Sequence, residues 1–179
     1  MDLYNSLPLL YLSILLGLLA VAAWAVVRQV LRTRKIELNL SRLQQTLSKD
    51  KGTAEEYYEL GSIYLDKQLY TQALVQFQKA LKCKAPIDEE SRALIYNALG
   101  YSYAALEQYD LGIRQYKDAL KFNPEYVTAW NNLGFAYDRK GLTAQALEAY
   151  EKAQELDPDN KTANKRVASL RKRLPTATS

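Results

Sequence analysis

The reactive side chains of this 179-residue chain are few, and their spacing does not build a catalytic site. Histidine is absent and Cys83 is the only cysteine, which excludes Cys–His and Ser–His mechanisms, an intrachain disulfide and most zinc sites. Carboxylates cluster at Glu55–Glu56 and Asp88–Glu90, in first turns of predicted helices, where the helix dipole favours negative charge. No glycine-rich phosphate loop occurs. We therefore predict a protein that is not an enzyme, with no catalytic residue, metal, cofactor or small-molecule substrate.

The aromatic and small side chains recur along the chain at regular intervals, and this recurrence predicts the helices that position them. Aromatic, leucine, glycine and tyrosine residues follow the i, i+3, i+4, i+7 stripe of a helix three times. The three stripes are 39 and then 34 residues apart: Tyr57-Leu60-Gly61-Tyr64, Tyr96-Leu99-Gly100-Tyr103 and Trp130-Leu133-Gly134-Tyr137. A second stripe of small and aromatic residues follows each one. An insertion around Lys84 to Glu90 leaves the angle between the first two units open.

This pattern resembles the tetratricopeptide repeat. The resemblance implies stacked helical hairpins, each unable to bury its apolar face alone. Thr53 with Glu56 predicts a capping box at the start of the first repeat. In the third repeat we expect Gly141 to end one helix and Thr143 to cap the next.

The segment Leu3–Val27 contains no charge and is long enough to cross a bilayer. The basic residues that follow it predict that the C-terminal side is cytoplasmic or stromal and that the N-terminus is lumenal or outside: Arg28, Arg32, Arg34 and Lys35. A buried soluble helix and a cleaved signal peptide are the alternatives. Asp2, with no preceding lysine or arginine, is unlike the start of a signal peptide.

Residues 28–51 carry seven basic and two acidic residues. Ile36, Leu40, Leu43 and Leu47 form an apolar stripe that could extend the membrane helix. Three interpretations stay open: a spacer that packs on the first repeat, a basic face that meets anionic headgroups, and a short coiled coil between two copies. Lys49 to Gly52 reads as a hinge.

Charge is segregated along the chain. Residues 53–158 contain 11 basic and 16 acidic residues, whereas residues 159–179 contain six basic and one acidic. The basic residues flank the repeats instead of lining them, so the isoelectric point near 9.0 does not indicate nucleic-acid binding.

The predicted fold class is all-α: an N-terminal single transmembrane helix, then a three-repeat α-solenoid with a C-terminal capping helix. The predicted boundaries are 1–35 for the anchor and basic flank, 36–52 for an amphipathic juxtamembrane helix and hinge, 53–158 for the repeats (approximately 54–87, 93–126 and 127–160), 159–174 for the capping helix and 175–179 for a disordered tail.

In tetratricopeptide proteins the first helices line a concave groove, and the resemblance implies such a groove here. Asn97 and Asn131 could bond a peptide backbone, while Tyr58, Tyr101 and Phe135 offer apolar area. The alternative is that these are ordinary solvated positions. The predicted partner-binding residues are Tyr58, Ser62, Leu94, Asn97, Tyr101, Thr128, Asn131, Phe135 and Asp138.

Co-chaperone members of the family grip a C-terminal carboxylate with lysine, arginine and asparagine. The matching positions hold Tyr58, Ser62, Ala98, Thr128 and Asn132. No cation is present among them, which argues against a receptor for chaperone tails.

The whole chain, from the span LPLLYLSILLGLLAVAAW and its RTRK flank to the run YNALGYSYAALEQYDLGIRQYKDAL, resembles the membrane-anchored photosystem I assembly family of cyanobacteria and plastids (Pyg7-like). The resemblance implies a thylakoid scaffold whose partners are photosystem I subunits or other assembly factors. The alternatives are an adaptor for another bacterial membrane complex, in secretion or cytochrome maturation, and a basic amphipathic regulator of the membrane.

Overall fold

The computed structural model describes residues 3–49 and 52–173, and these form eight α-helices with no strand. The predicted all-helical class is confirmed. The helices are α1 (Leu3–Lys49), α2 (Ala54–Asp66), α3 (Tyr70–Leu81), α4 (Glu89–Ala105), α5 (Tyr109–Phe122), α6 (Val127–Arg139), α7 (Thr143–Leu156) and α8 (Lys161–Arg171). The predicted tail 175–179 and part of the predicted hinge lie outside the described residues.

The chain divides into two compact units, Met1–Gln45 and Thr46–Ser179. In the first unit, α1 is long and apolar enough to cross a membrane, by length and composition; a signal sequence or a soluble core helix passes the same test. Its most apolar stretch is not buried at all, unlike that of a core helix. The helix continues without a break past residue 35, so the anchor and the juxtamembrane segment form one element.

In the second unit the helices pair in sequence, as the repeat pattern predicts. α2 packs on α3, α4 on α5 and α6 on α7, and each pair also packs on the next. The turn inside each hairpin places one residue in the left-handed region, with φ of 59° at Gln68, 60° at Glu107 and 74° at Gly141. Only glycine adopts this conformation without strain, so the first two turns carry a cost that the third avoids.

Gly141 ends α6 as expected, but the prediction that Thr143 caps α7 is wrong. Leu142 is the N-cap residue and Thr143 is already helical. The amide of Leu142 donates to the Tyr137 carbonyl at 2.9 Å, and equivalent bonds close the other two turns. This tight turn leads straight into the second helix and leaves no extended residue whose side chain could cap it.

A close contact between a glycine and a buried ring holds each hairpin together. The rings of Phe77, Tyr116 and Tyr150 are at most 1% exposed. A Cβ added to Gly61, Gly100 or Gly134 would lie 2.5, 2.5 or 2.9 Å from the ring of the paired helix. Glycine is therefore needed because the second helix places an aromatic ring directly on the first.

Side chains cap the starts of α2, α4 and α8, whereas α6 begins after Tyr126 without a side-chain cap. Thr53 and Glu56 form the predicted capping box, with bonds of 3.2 and 3.0 Å. Asp88 accepts from the Ser91 amide at 2.8 Å, and the bonds from Ser91 hold the pKa of that carboxyl below its ordinary value. Asn160 caps α8, whose buried residues Ala163, Val167 and Leu170 cover the last hairpin.

Candidate protein-binding groove

The first helices α2, α4 and α6 lie side by side, and between α4 and α6 they leave an apolar cavity of about 330 Å³. Tyr101 and Phe135 line it, and their side chains are 49% and 38% exposed. Ala104, Ala105, Tyr116 and Asn132 complete the lining. The small alanines leave the space that the two rings border. Two residues predicted from their spacing are thus brought together.

A second, smaller cavity of about 90 Å³ lies between α2 and α4. Tyr58 and Leu94 line it, so two more predicted residues lie close together. The Tyr58 ring also packs against Phe77, with centroids 5.6 Å apart. Ser62 is half-buried and its hydroxyl donates to the Tyr58 carbonyl at 2.9 Å. We refer to the two cavities and the surface that joins them as the groove.

The two predicted asparagines make hydrogen bonds within the protein. Asn97 Nδ2 donates to the Tyr126 hydroxyl at 3.4 Å, and Asn97 Oδ1 accepts from Asn132 Nδ2 at 2.9 Å. Asn131 Nδ2 donates to Asn160 Oδ1 at 3.2 Å. Each asparagine thereby bonds to a residue 29 positions further along the chain, which directly precedes α6 for Asn97 and α8 for Asn131. These bonds use one of the two amide hydrogens of Asn97 and one of the two lone pairs of its oxygen, so one donor and one acceptor site remain for a peptide.

Asn131 differs from Asn97 in its carbonyl oxygen. Asn131 Oδ1 is buried and accepts no hydrogen bond from the described part of the chain. A buried acceptor without a donor costs free energy, so this position stabilises the stack less than Asn97 does. Burial, and to a smaller extent the nearby Tyr58 hydroxyl, raise the pKa of Tyr126, and the bond from Asn97 only partly opposes this.

Sequence reasoning missed Tyr126 and Asn160 as neighbours of the groove, and it named Asn132 only as a position that matches the carboxylate clamp. Tyr126 and Asn160 are 34 residues apart, one repeat, and they directly precede α6 and the capping helix α8. That offset is the signal that could have found them.

The last two predicted residues lie at opposite ends of α6. Thr128 is exposed in its first turn. Asp138, in the last turn, has a side chain only 15% exposed because it pairs with Arg173 at 3.0 Å and Arg166 at 3.6 Å. Asp138 therefore ties α6 to the basic C-terminal segment, and its charge is largely satisfied within the protein.

Family models for the tetratricopeptide repeat match residues 54–85 and 127–160, and a related repeat model matches 100–141. The chloroplastic tetratricopeptide repeat domain-containing protein PYG7 of Arabidopsis thaliana is 41% identical over 169 residues, which cover 94% of this chain and 56% of PYG7. The protein ycf37 of Guillardia theta is 33% identical, over 94% of both chains, and that of Cyanophora paradoxa 35%, over 80% and 83%. The chain belongs to this family of tetratricopeptide repeat proteins.

Solved structures agree with that assignment. MamA superposes with a TM-score of 0.70 at 25% identity, over 79% of this chain and 75% of MamA. YrrB, described as a TPR protein with an unusual peptide-binding site, superposes with a TM-score of 0.66 at 23% identity, over 79% and 70%. The predicted solenoid is thus confirmed. The chain is a tetratricopeptide scaffold for protein interaction, and it spans about half the length of PYG7.

The groove does not carry the cations of a carboxylate clamp. At the five positions that match the carboxylate clamp, Ala98 is buried and Asn132 is bonded to Asn97. Arg139, the nearest arginine along α6, lies over the Tyr109 ring at 5.5 Å and faces Glu107 at 3.8 Å. The groove therefore offers exposed rings and small side chains to an apolar group.

The basic residues that follow the apolar part of α1 are exposed: Arg28, Arg32, Arg34 and Lys35. The Arg28 guanidinium lies 5.3 Å from the centroid of the Trp24 ring. An aromatic ring next to a cation at the end of an apolar span is typical of a membrane–water interface.

Proposed function

We propose that this protein is a membrane-tethered tetratricopeptide scaffold that binds protein partners during photosystem I assembly or stabilisation at the thylakoid membrane. The observation that carries the binding role is the groove between α4 and α6, where Tyr101 and Phe135 are left exposed beside an apolar cavity. The photosystem assignment is supported by kinship with chloroplastic PYG7 over 94% of this chain, together with the family resemblance set out above.

The tether is the exposed apolar part of α1. Residues 10–31 rise about 33 Å at 1.5 Å per residue, enough for a hydrocarbon layer of about 30 Å. The apolar side chains of the tether are exposed, and removing apolar surface from water is favourable by about 25 cal/mol per Å² of accessible area. We place the N-terminus on the lumenal or outer side and the repeats in the cytoplasm or stroma, because the cations begin at Arg28.

Binding uses the two rings of the groove. An apolar side chain of a partner enters the cavity between Tyr101 and Phe135 and removes both rings from water. Asn97 and Asn131 keep the floor of the groove in place through their bonds to the residues before α6 and α8. The tether confines the search to the bilayer surface and raises the effective concentration of membrane-embedded partners.

The test is recovery of partners from solubilised photosynthetic membranes with the tagged full chain. We expect photosystem I subunits or their assembly factors with the wild type, and loss of most recovery with Tyr101→Ala/Phe135→Ala. Leu69→Ala/Leu111→Ala is the matched control, because these residues are 39% and 43% exposed but are not groove residues. Equal recovery of partners by all three proteins would contradict the proposal that partners bind in the groove. Recovery of secretion or cytochrome-maturation subunits instead would support the alternative adaptor.

The tether is tested separately by washing membranes with carbonate. The full chain should stay in the pellet, since a spanning helix is not released by alkaline salt. Release into the supernatant would contradict the tether while leaving the groove intact.

A further inference from the structure

A second cleft lies on the other side of α6 from the groove. It has a volume of about 410 Å³ and is bordered by α5, α6 and α7. Its floor includes the buried Leu133 and Ala149, its walls are Trp130 and Tyr137, and Lys117 and Lys121 stand at its rim. Tyr137 is two positions beyond the groove residue Phe135, about 200° around the helix. The cleft and the groove are therefore separate surfaces.

The corresponding place between the first two repeats is lined by different side chains. Tyr96, one repeat before Trp130, is covered by Phe122, with the rings stacked at 5.6 Å. Gln78, which corresponds to Lys117, donates its Nε2 to the Tyr103 hydroxyl at 3.3 Å. In the later joint Leu156 takes the place of Phe122 and is 38% exposed. These are two of several equivalent positions at which the two joints differ.

The charge at the rim indicates what the cleft accepts. Residues 53–158 carry five more acidic than basic residues, yet two lysines border this opening. The Lys117 ammonium lies over the Tyr137 ring at 5.7 Å, and Lys121 pairs with Asp118 at 2.7 Å while 72% exposed. Glu148, on α7, lines the opposite edge. The α5 side therefore carries Lys117 and the Lys121–Asp118 pair, a net positive charge next to the two aromatic walls, and the α7 side carries the negative Glu148.

We propose that this cleft is a second docking surface, which takes an acidic–apolar segment of a partner protein. A carboxylate of the segment pairs with Lys117 and Lys121, and a neighbouring large apolar side chain packs between Trp130 and Tyr137 on the floor of the cleft. The groove and the cleft would let the scaffold hold two segments at once, on opposite sides of α6.

The experiment selects binders from a displayed library of random dodecapeptides on the full chain in lipid nanodiscs. The chain carries Trp24→Phe, so that Trp130 is its only tryptophan and its fluorescence reports the cleft. We expect enriched peptides that combine aspartate or glutamate with a large apolar residue and shift the Trp130 emission. Failure to enrich such peptides, or binding that leaves the emission unchanged, would overturn the proposal.

Charge variants then locate the site. Lys117→Glu/Lys121→Glu should weaken the selected peptides about tenfold, because attraction of the carboxylate becomes repulsion. Lys117→Arg/Lys121→Arg should restore binding. Lys82→Glu is the matched control, since Lys82 is the exposed counterpart of Lys121 in the first repeat. Equal weakening by Lys82→Glu would overturn the proposal.

The groove variant separates this proposal from the proposed function. Tyr101→Ala/Phe135→Ala should leave cleft binding within about twofold, because its residues lie on the other side of the helix. If that variant abolishes peptide binding and Lys117→Glu/Lys121→Glu does not, the peptides occupy the groove and the cleft proposal is wrong.

Discussion

The interior of the hairpins and the groove are built from the same helices, but the interior repeats three times whereas the groove repeats only in part. Gly61 on Phe77, Gly100 on Tyr116 and Gly134 on Tyr150 are one contact made three times. Two equivalent groove positions differ among the three repeats. The first holds Tyr58, Asn97 and Asn131, and the second holds Ser62, Tyr101 and Phe135. Close packing tolerates little variation, whereas the groove is free to differ.

Gly134→Leu should break the repeating interior and have the largest effect. The Cβ alone would lie 2.9 Å from the Tyr150 ring, and the longer side chain has no space. We expect a loss of about 3 kcal/mol in the free energy of unfolding, measured by urea titration. Ala105→Leu, an exposed position in α4, is the control and should leave the midpoint unchanged. Equal losses in both variants would contradict the assigned contact.

The buried tyrosines predict unfolding at alkaline pH. Burial raises the pKa of Tyr150 to about 12, against an ordinary value of 10.0, and burial also raises the pKa of Tyr116. The folded state therefore holds protons that the unfolded state releases. For Tyr150 alone, stability should be constant below pH 10 and fall by about 1.4 kcal/mol per pH unit toward pH 12.

Tyr150→Phe tests that assignment by calorimetry across the same pH range. Above pH 10 the free energy of unfolding of the variant should fall less steeply with pH than that of the wild type, because only the contribution of Tyr116 remains. An unchanged slope would show that other groups control alkaline unfolding.

The two groove asparagines should differ in their effect on stability. Asn97→Ala removes bonds to Tyr126 and Asn132 and should cost about 1–2 kcal/mol. Asn131→Ala removes one bond and also a buried acceptor without a donor, so it should cost about 0.5 kcal/mol or less. Thermal unfolding measures both. A larger loss at Asn131 would contradict the assigned bonding.

The smallest expected effect is a gain in stability. Gln68→Gly relieves a left-handed residue at φ 59° and should stabilise the fold by about 0.5 kcal/mol. Gln72→Gly, at an exposed position in α3, should destabilise it by a similar amount or more. Shifts of the same sign in both variants would show that the turn is not strained.

The periodicity of glycine, leucine and aromatic residues was enough to predict the six paired helices, because it follows from local helical geometry and from the packing of one helix on the next. It could also place Tyr101 and Phe135 together. It could not predict that Asn97 bonds to Tyr126 or that Leu142 replaces Thr143 as the cap. Those outcomes depend on contacts between repeats and on turn geometry, which a single helical stripe does not contain.

The cleft beside Trp130 could not be predicted from the sequence either. Lysine in place of Gln78 and leucine in place of Phe122 look like ordinary surface changes along the chain. Their effect appears only when the two joints between repeats are compared in three dimensions, where one contains stacked rings and the other contains the cleft.

Asn97 bonds to the residue before α6 and Asn131 to the residue before α8. The width of the groove is therefore set by the contacts between successive hairpins and not by one hairpin alone. A ligand that displaces one hairpin should therefore also displace the start of the helix that follows it. Amide hydrogen exchange at the beginning of α8 should therefore respond when a segment is held near Phe135, although Asn160 is 25 residues away along the chain.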